Sequence, residues 1–337
     1  MKNWYIWILI LVCSSCLSNP TTEKKQGSRS HIINIHDKIT EIKIDSILLS
    51  GSTRAFIMNN YLIIADYKPE DKLIHIFDKA TFKYLTSTTY TGQGPGEITI
   101  MGNIGINENR NEFYVSDHGQ FKIFTYNMDS VIANPFYMPQ VKLNIDKGIF
   151  PDRYQYLNDT LSIAVAIKPT GNSSFEQYTA RLNLTTGKIS PMPYEHPNIE
   201  KRRICVAASS QQKEYIECYQ NRDLMTIGGL DGKLKWNIYG PEWNKDNHDR
   251  KYYFGGVLIC GDKIVALYSG KNYYDKDYRP SKIILFKTNG DYIETLDTGY
   301  IINDFCYDKT KNRIIMALDG DMQYAYFDFS NIKQVDK

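Results

Sequence analysis

Six copies of a strand, turn, strand pattern predict an all-β fold for this chain of 337 residues. The turns are mostly rich in Asn, Asp, Gln or Gly and recur at intervals of about 50 residues, a spacing typical of propeller blades. Apolar or alternating runs of four to eight residues flank them, which is the pattern of strands rather than helices. The sequence therefore predicts a six-bladed β-propeller. The turns lie at Asn59 and Asn60, Asn109, Asn158 and Asp159, Gln211 and Gln212, Gly261 and Asp262, and Lys309.

Each turn is followed by a second and then a third predicted strand. The second strands are residues 62–66, 113–117, 161–166, 215–219, 264–269 and 314–319. The third strands are residues 73–78, 121–126, 178–184, 234–239, 283–287 and 323–329. Fourth strands are clear in some blades, as at residues 83–90 and 292–297, but not in the fourth blade. No amphipathic helix is predicted in the mature chain.

The two ends of the chain predict how the ring closes. Few residues follow the last predicted strand, whereas residues 39–48 form a strand-like segment with no blade before it. We expect this segment to supply the outer strand of the sixth blade, so that hydrogen bonds join the ends and leave only short exposed edges. The predicted propeller domain is residues 31–337.

The N-terminal sequence predicts a targeting signal rather than part of the fold. Lys2 and an apolar run at residues 5–12 precede Cys13-Ser14-Ser15-Cys16, which resembles a bacterial lipobox. The resemblance implies a signal peptide over residues 1–16 and lipidation of Cys16, the first residue of the mature chain. An ordinary cleaved signal or a short membrane anchor is the alternative, although the run is shorter than the ~18 to 20 residues of a spanning helix. Polar residues 17–30 are predicted to be a flexible tether.

Composition limits the partners. Forty Lys and Arg against 38 Asp and Glu give a net charge of +2, without the basic patch that nucleic-acid binding requires. In an exported protein, disulfides can persist. A hairpin centred between Gln211 and Gln212 would place Cys205 opposite Cys218, so these two are a disulfide candidate; two free buried thiols are the other interpretation. No cysteine or histidine spacing indicates a metal site.

The predicted ligand face carries the loops between blades and the turns between second and third strands, which surround one mouth of the central channel. Loops on a rigid scaffold are the usual place for binding residues. Each residue has a structural alternative, such as hydrogen bonding of an Asp to its own turn or a glycine-rich crossing at residues 92–96. The candidate ligand-binding residues are Asp66, Gln93, Glu97, Asp117, His118, Arg202, Tyr273, Tyr274 and Arg279.

Residues 92–126 resemble an NHL repeat, a propeller blade unit, through Gly92, Gly94, the pair Gly96-Glu97, and the strand end at Ser116-Asp117. Together with the lipobox and tether, the chain is similar to TolB-like/NHL-like six-bladed propeller lipoproteins of Bacteroidota. The resemblance implies a lipid-anchored protein of the outer membrane, facing the periplasm or the cell surface. The resemblance implies no catalytic residue in this chain.

Two functions follow as hypotheses. The first is a non-enzymatic binding or scaffolding module, monomeric and without a cofactor, that presents one face to a protein or glycan of the cell envelope. The alternative is a hydrolase or lyase acting on a carbohydrate or lactone-like substrate at the channel mouth, with cross-blade carboxylates or His118 and perhaps calcium. The sequence holds neither a GxSxG elbow nor an HExxH motif, which favours the first hypothesis.

Overall fold

The computed structural model describes residues 21–134, 136–172, 174–200, 202–245 and 250–331. The predicted signal peptide and Cys16 lie outside these residues. The described chain is a six-bladed β-propeller, as predicted. Within the described residues, no helix combines the length and the apolar character needed to cross a membrane.

The first three blades are antiparallel sheets of four strands each, numbered here in chain order after three N-terminal strands. Blade 1 comprises β4 (Thr53–Met58), β5 (Tyr61–Asp66), β6 (Lys72–Asp78) and β7 (Tyr84–Tyr90). Blade 2 comprises β8 (Met101–Asn107), β9 (Glu112–Asp117), β10 (Lys122–Asn127) and β11 (Gln140–Asn144). Blade 3 comprises β12 (Phe150–Asn158), β13 (Leu161–Gly171), β14 (Ser174–Leu182) and β15 (Ile189–Pro191).

The last three blades each incorporate an N-terminal strand: β1 (Glu23–Lys25), β2 (Ile32–Asn34) or β3 (Thr40–Glu41). Blade 4 comprises β16 (Ile204–Ser209), β17 (Glu214–Tyr219), β18 (Leu224–Gly229), β19 (Leu234–Tyr239) and β1. Blade 5 comprises β20 (Lys251–Cys260), β21 (Lys263–Asn272), β22 (Lys282–Lys287), β23 (Tyr292–Asp297) and β2. Blade 6 comprises β24 (Ile301–Asp308), β25 (Arg313–Asp319), β26 (Tyr324–Asp328) and β3.

Two details of the strand prediction are wrong. Residues 234–239 form the fourth strand of blade 4, because the third is the glycine-ending segment Leu224–Gly229. A short helix, α1 (Met128–Ala133), also follows β10, capped by the Asn127 side chain, which accepts from the Ser130 backbone N–H. Single-turn 3₁₀ helices occur at His36–Lys38, Glu108–Arg110 and Phe329–Asn331.

The ring closes as predicted, through β3. Thr40 and Glu41 pair with Tyr326 and Ala325 of β26, and the Ile42 N–H donates to the Tyr324 carbonyl oxygen at 2.8 Å. The second strand of each blade places alternate side chains in the two neighbouring interfaces. In blade 1, for example, Ile63 packs toward blade 2 while Ile64 packs toward blade 6.

The described part of the predicted tether, residues 21–30, is bound to the propeller instead of running free. Its strand β1 pairs parallel to β19, and β2 further on pairs parallel to β23. Between them, Arg29 enters the junction of blades 4 and 5. Its Nη1 lies 2.8 Å from Asp223 Oδ1, and its guanidinium approaches the Tyr268 ring at 5.2 Å. Backbone pairing and a buried ion pair thus fix a segment whose polar composition indicated flexibility.

We expect Arg29→Ala to lower the free energy of unfolding by about 3 to 5 kcal/mol, because it leaves the Asp223 carboxylate buried without its counter-charge. Asp223 is 0% exposed in the folded protein, so its carboxylate relies on the guanidinium rather than on bulk water. Urea unfolding of the variant measures the effect. Lys25→Ala, an exposed change in the same segment, is the control; equal stability of the two variants would show that the ion pair does not hold the segment.

Candidate functional site

The six inner strands surround a central channel that contains a cavity of about 390 Å³. Each inner strand starts at the upper face, which is defined here by the loops between blades and the turns between second and third strands. Three charged side chains line the upper end of the cavity: Arg54 from blade 1, Arg153 from blade 3 and Asp304 from blade 6. These three residues define the upper mouth. They are separated by up to 250 positions in sequence and meet only because the ring closes.

Irregularities in the inner strands direct two of these side chains. The pairing of β12 with β13 shifts register between Pro151 and Arg153, and that of β24 with β25 shifts between Ile302 and Asp304. A bulge inserts an extra residue and re-aims the next side chain, which is why bulges are frequent beside binding sites. Arg153 and Asp304 each directly follow such a shift.

The charges of the upper mouth act on one another. Burial raises the pKa of Asp304, and the positive charges of Arg153 and Arg54 oppose that rise. The Asp304 Oδ2 atom accepts a hydrogen bond from the Ala55 N–H at 3.0 Å. Burial acts to lower the pKa of Arg54, but Tyr67, Asp152 and Asp304 outweigh it, so the Arg54 pKa is raised. The mouth thus holds two cations around one partly desolvated carboxyl group.

Tyr67 and His118 support the mouth from blades 1 and 2. The Tyr67 hydroxyl donates to the Gly102 carbonyl oxygen at 2.8 Å, and the Arg54 guanidinium lies 5.1 Å from the Tyr67 ring. His118 Nε2 donates to the Pro151 carbonyl oxygen at 3.3 Å, and its ring packs on Phe150 at 5.3 Å. Burial lowers the pKa of His118, so at neutral pH this histidine is an uncharged structural contact between blades 2 and 3.

Aromatic side chains lie on the blade 5 side of the mouth. Tyr252, Tyr273 and Tyr278, called here the tyrosine cluster, have ring centroids 5.3 to 5.9 Å apart. Tyr252 lies near the mouth: burial raises its pKa, and the charge of Arg153 opposes the rise. The Tyr273 hydroxyl donates to Asn221 Oδ1 at 2.8 Å, but 37% of the residue remains exposed. The cluster therefore offers ring surface beside charged groups.

Three of the predicted ligand-binding carboxylates organise loops. Asp66 accepts hydrogen bonds from the N–H groups of Ser50 and Lys68. Asp117 accepts from four backbone N–H groups, those of Thr99, Ile100, Gly119 and Gln120. Glu97 Oε2 accepts from the Gly94 N–H at 2.8 Å, within the glycine-rich loop. Asp66 and Asp117 therefore hydrogen-bond to backbone N–H groups of their own turns, which is the structural alternative given for the Asp residues.

The other predicted residues are distributed over the upper face. Gln93 is exposed on the loop between blades 1 and 2. Arg202 is nearly buried and pairs with Glu195 at 3.1 Å. Arg279 pairs with Asp319 and donates to Asn303 Oδ1, next to Asp304. Tyr274, 73% exposed, lies under the Arg250 guanidinium.

Sequence reasoning missed the residues that define the mouth itself. Arg54, Arg153 and Asp304 each stand within an otherwise largely apolar or aromatic inner strand. A charged residue in an inner strand indicates a candidate for the channel mouth, because side chains of an inner strand face either a blade interface or the channel. The signal identifies candidates, but the bulges decide which of them reach the channel.

Cys205 and Cys218 face each other in the register of β16 and β17, as the predicted hairpin requires. Both thiols are free and buried in the structure. Burial raises the pKa of Cys218, which disfavours the reactive thiolate. The described residues contain no group of three or more His, Cys, Asp or Glu side chains placed to hold a metal ion.

Comparison with known proteins agrees with the fold. Residues 39–160 match the model of family DUF5128, described as a 6-bladed beta-propeller. No curated protein gives a significant match. A solved member of the DUF4221 family from Bacteroides vulgatus is similar, with a TM-score of 0.58 and 10% identity over 86% of this chain and 94% of that chain.

Two further solved structures are similar. One, from Bacteroides fragilis and described as exported, has a TM-score of 0.56 and 13% identity over 91% of this chain and 98% of that chain. The other, a calcium-binding regucalcin from Agrobacterium tumefaciens, has a TM-score of 0.54 and 8% identity over 88% and 95%. At these identities the likeness shows the fold alone.

We expect Asp304→Asn to unfold at higher urea concentration than the parent protein at pH 7.5, with a smaller difference at pH 4.5. The folded-state pKa of Asp304 is raised above the reference 3.8, so its contribution to stability is largest below that reference and declines as the pH rises through the folded-state pKa. Asn mimics the neutral form and keeps an acceptor for the Ala55 N–H. An Asp304→Asn protein less stable than the parent at pH 7.5 would contradict this assignment.

Proposed function

We propose that this protein is a non-enzymatic binding module of the cell envelope, which holds a glycan or protein partner at its upper face. The observation that carries the proposal is the upper mouth, where Arg54 and Arg153 flank the partly desolvated Asp304 carboxyl group beside the partly exposed tyrosine cluster. Concave sites with a few convergent polar groups and aromatic walls are the usual form of ligand sites. Keeping such charges partly desolvated costs stability, which function at this site would explain.

We further propose that the protein is exported and anchored to the outer membrane through a lipid on Cys16. The lipobox-like sequence before Cys16 supports this address, and a similar structure from Bacteroides fragilis is described as exported. The NHL-like repeat at residues 92–126 and the similar Bacteroides structures also support a place among the TolB-like/NHL-like propeller lipoproteins of Bacteroidota.

The enzymatic alternative has less support from the geometry. A hydrolase or lyase needs a carboxylate or histidine free to exchange protons with its substrate. Among the predicted candidates, Asp66 and Asp117 are held by backbone N–H groups, and His118 is engaged by the Pro151 carbonyl oxygen. We therefore favour binding over catalysis.

Replacing Cys16 tests the proposed lipid anchoring. We expect Cys16→Ser to move the protein from the membrane fraction to the soluble fraction, because removing the acyl chains removes the apolar anchor. Cell fractionation and immunoblotting measure the distribution. Cys13→Ser, which changes a neighbouring cysteine but keeps the proposed acceptor, is the control. Continued membrane retention of the Cys16→Ser protein would contradict lipid anchoring.

Replacing a ring on the upper face tests the binding function. We expect Tyr273→Ala to weaken binding of the full-length protein to its glycan or protein partners about tenfold, because an exposed aromatic side chain is a typical energetic centre of an interface. The readout is binding to a panel of envelope glycans and envelope proteins. Tyr307→Ala, toward the other end of the channel, is the matched control. Equal binding profiles for both variants would contradict a functional upper face.

A further inference from the structure

Three arginines on the upper face differ from the five arginines of the described residues that form ion pairs. Away from the mouth, Arg29 pairs with Asp223, Arg110 with Asp159 and Arg313 with Asp308, at 2.8 to 3.1 Å. By contrast, the guanidinium groups of these three arginines have no carboxylate of the described residues within ion-pair distance: those of Arg54, Arg153 and Arg203.

Arg203 extends the cationic region toward the tyrosine cluster. It lies just before β16, where its guanidinium covers the Phe175 ring at 4.1 Å and donates to the Arg202 carbonyl oxygen. Burial raises the pKa of Tyr273, and the charge of Arg203 is among the influences that oppose the rise. Arg153 has the same effect on Tyr252. Two arginines thus act electrostatically on tyrosines of this cluster.

Asp304 and Asp152 compensate the charges of Arg54 and Arg153 only over longer distances, without a direct ion pair. An anionic ligand can supply the direct contact, because the planar fork of arginine matches a carboxylate in two hydrogen bonds. The charges also indicate how negative this ligand should be. Asp304 and half-buried Asp152 repel a second negative charge, which favours a singly charged carboxylate over a doubly charged phosphate.

The tyrosine cluster indicates what carries the carboxylate. Aromatic rings have a negative face, which suits the C–H surface of a sugar ring. Gln220 donates to the Tyr252 hydroxyl at 3.3 Å and Asn221 accepts from Tyr273, so amide groups that can bind sugar hydroxyls lie beside the rings. Exposed Tyr274 continues the aromatic surface outward. A chain of sugars can cover this surface while one carboxylate occupies the mouth.

We propose that the upper face binds an acidic saccharide, with a uronate carboxylate held by Arg153 and Arg54 and adjacent sugar rings on the tyrosine cluster. This inference rests on the proposed binding function and specifies its ligand class. The carboxylate enters between the two guanidinium groups, above Asp304, and Arg203 neutralises a second uronate further along the chain.

The test is calorimetric titration of the full-length protein with an oligomer of galacturonic acid. An uncharged galactose oligomer of the same length and poly-glutamate are the comparison ligands. We expect the galacturonate oligomer to bind, with at least tenfold lower affinity for Arg153→Gln and an unchanged affinity for Arg110→Gln, a matched change on the opposite face. Arg203→Gln, at a partly exposed site, should also weaken binding and provides a second variant if Arg153→Gln does not fold.

Several outcomes would overturn the inference. Equal affinity for the galactose oligomer would leave the upper face as a glycan site without the proposed charge recognition. Equal losses in Arg153→Gln and Arg110→Gln would show that the bound saccharide is not recognised at the upper mouth. Binding of poly-glutamate in preference to galacturonate would replace the saccharide with an acidic peptide. Absence of binding to all three ligands would overturn the acidic-saccharide inference, while the binding function would still be decided separately by the Tyr273→Ala comparison on envelope partners.

Discussion

The short pairing of Thr40 and Glu41 with β26, the last strand of the described residues, is the constraint on which the structure depends. It joins β3, the strand that precedes blade 1, to blade 6 and so fixes all six blades around one axis. A buried cluster reinforces the neighbouring junction: Asp308 of blade 6 pairs with both Lys79 of blade 1 and Arg313. Charges buried in this way stabilise only when every partner is present, so the closed ring is favoured over partly opened forms.

Closure also creates the site. A channel mouth exists only where the starts of six inner strands meet, and these strands come from every part of the chain. The blade interfaces are largely apolar and close-packed, and buried charges there form direct pairs, as in Asp308 with Lys79 and Arg29 with Asp223. The bulged starts of β12 and β24 instead turn Arg153 and Asp304 into the channel without a direct ion pair, so the mouth retains charge at a cost in stability.

The sequence was sufficient to predict the six blades, because turns that recur at a near-constant interval of about 50 residues can be recognised from the sequence alone. The third strand of blade 4 was misplaced because its two glycines weaken the strand pattern of Leu224–Gly229. Residues 21–30 look like a tether because their contacts, such as that of Arg29 with Asp223, are made with distant residues. The mouth was missed for the same reason: which side chains face a channel depends on bulges and on pairing across blades.

We infer that the upper mouth recognises a carboxylate. The structure of the full-length protein bound to an oligomer of galacturonic acid tests it most directly. We expect a sugar carboxylate between the Arg54 and Arg153 guanidinium groups, with adjoining sugar rings against Tyr252 and Tyr273. A saccharide bound at the opposite end of the channel or on the outer edge of a blade, with the upper mouth empty, would contradict it.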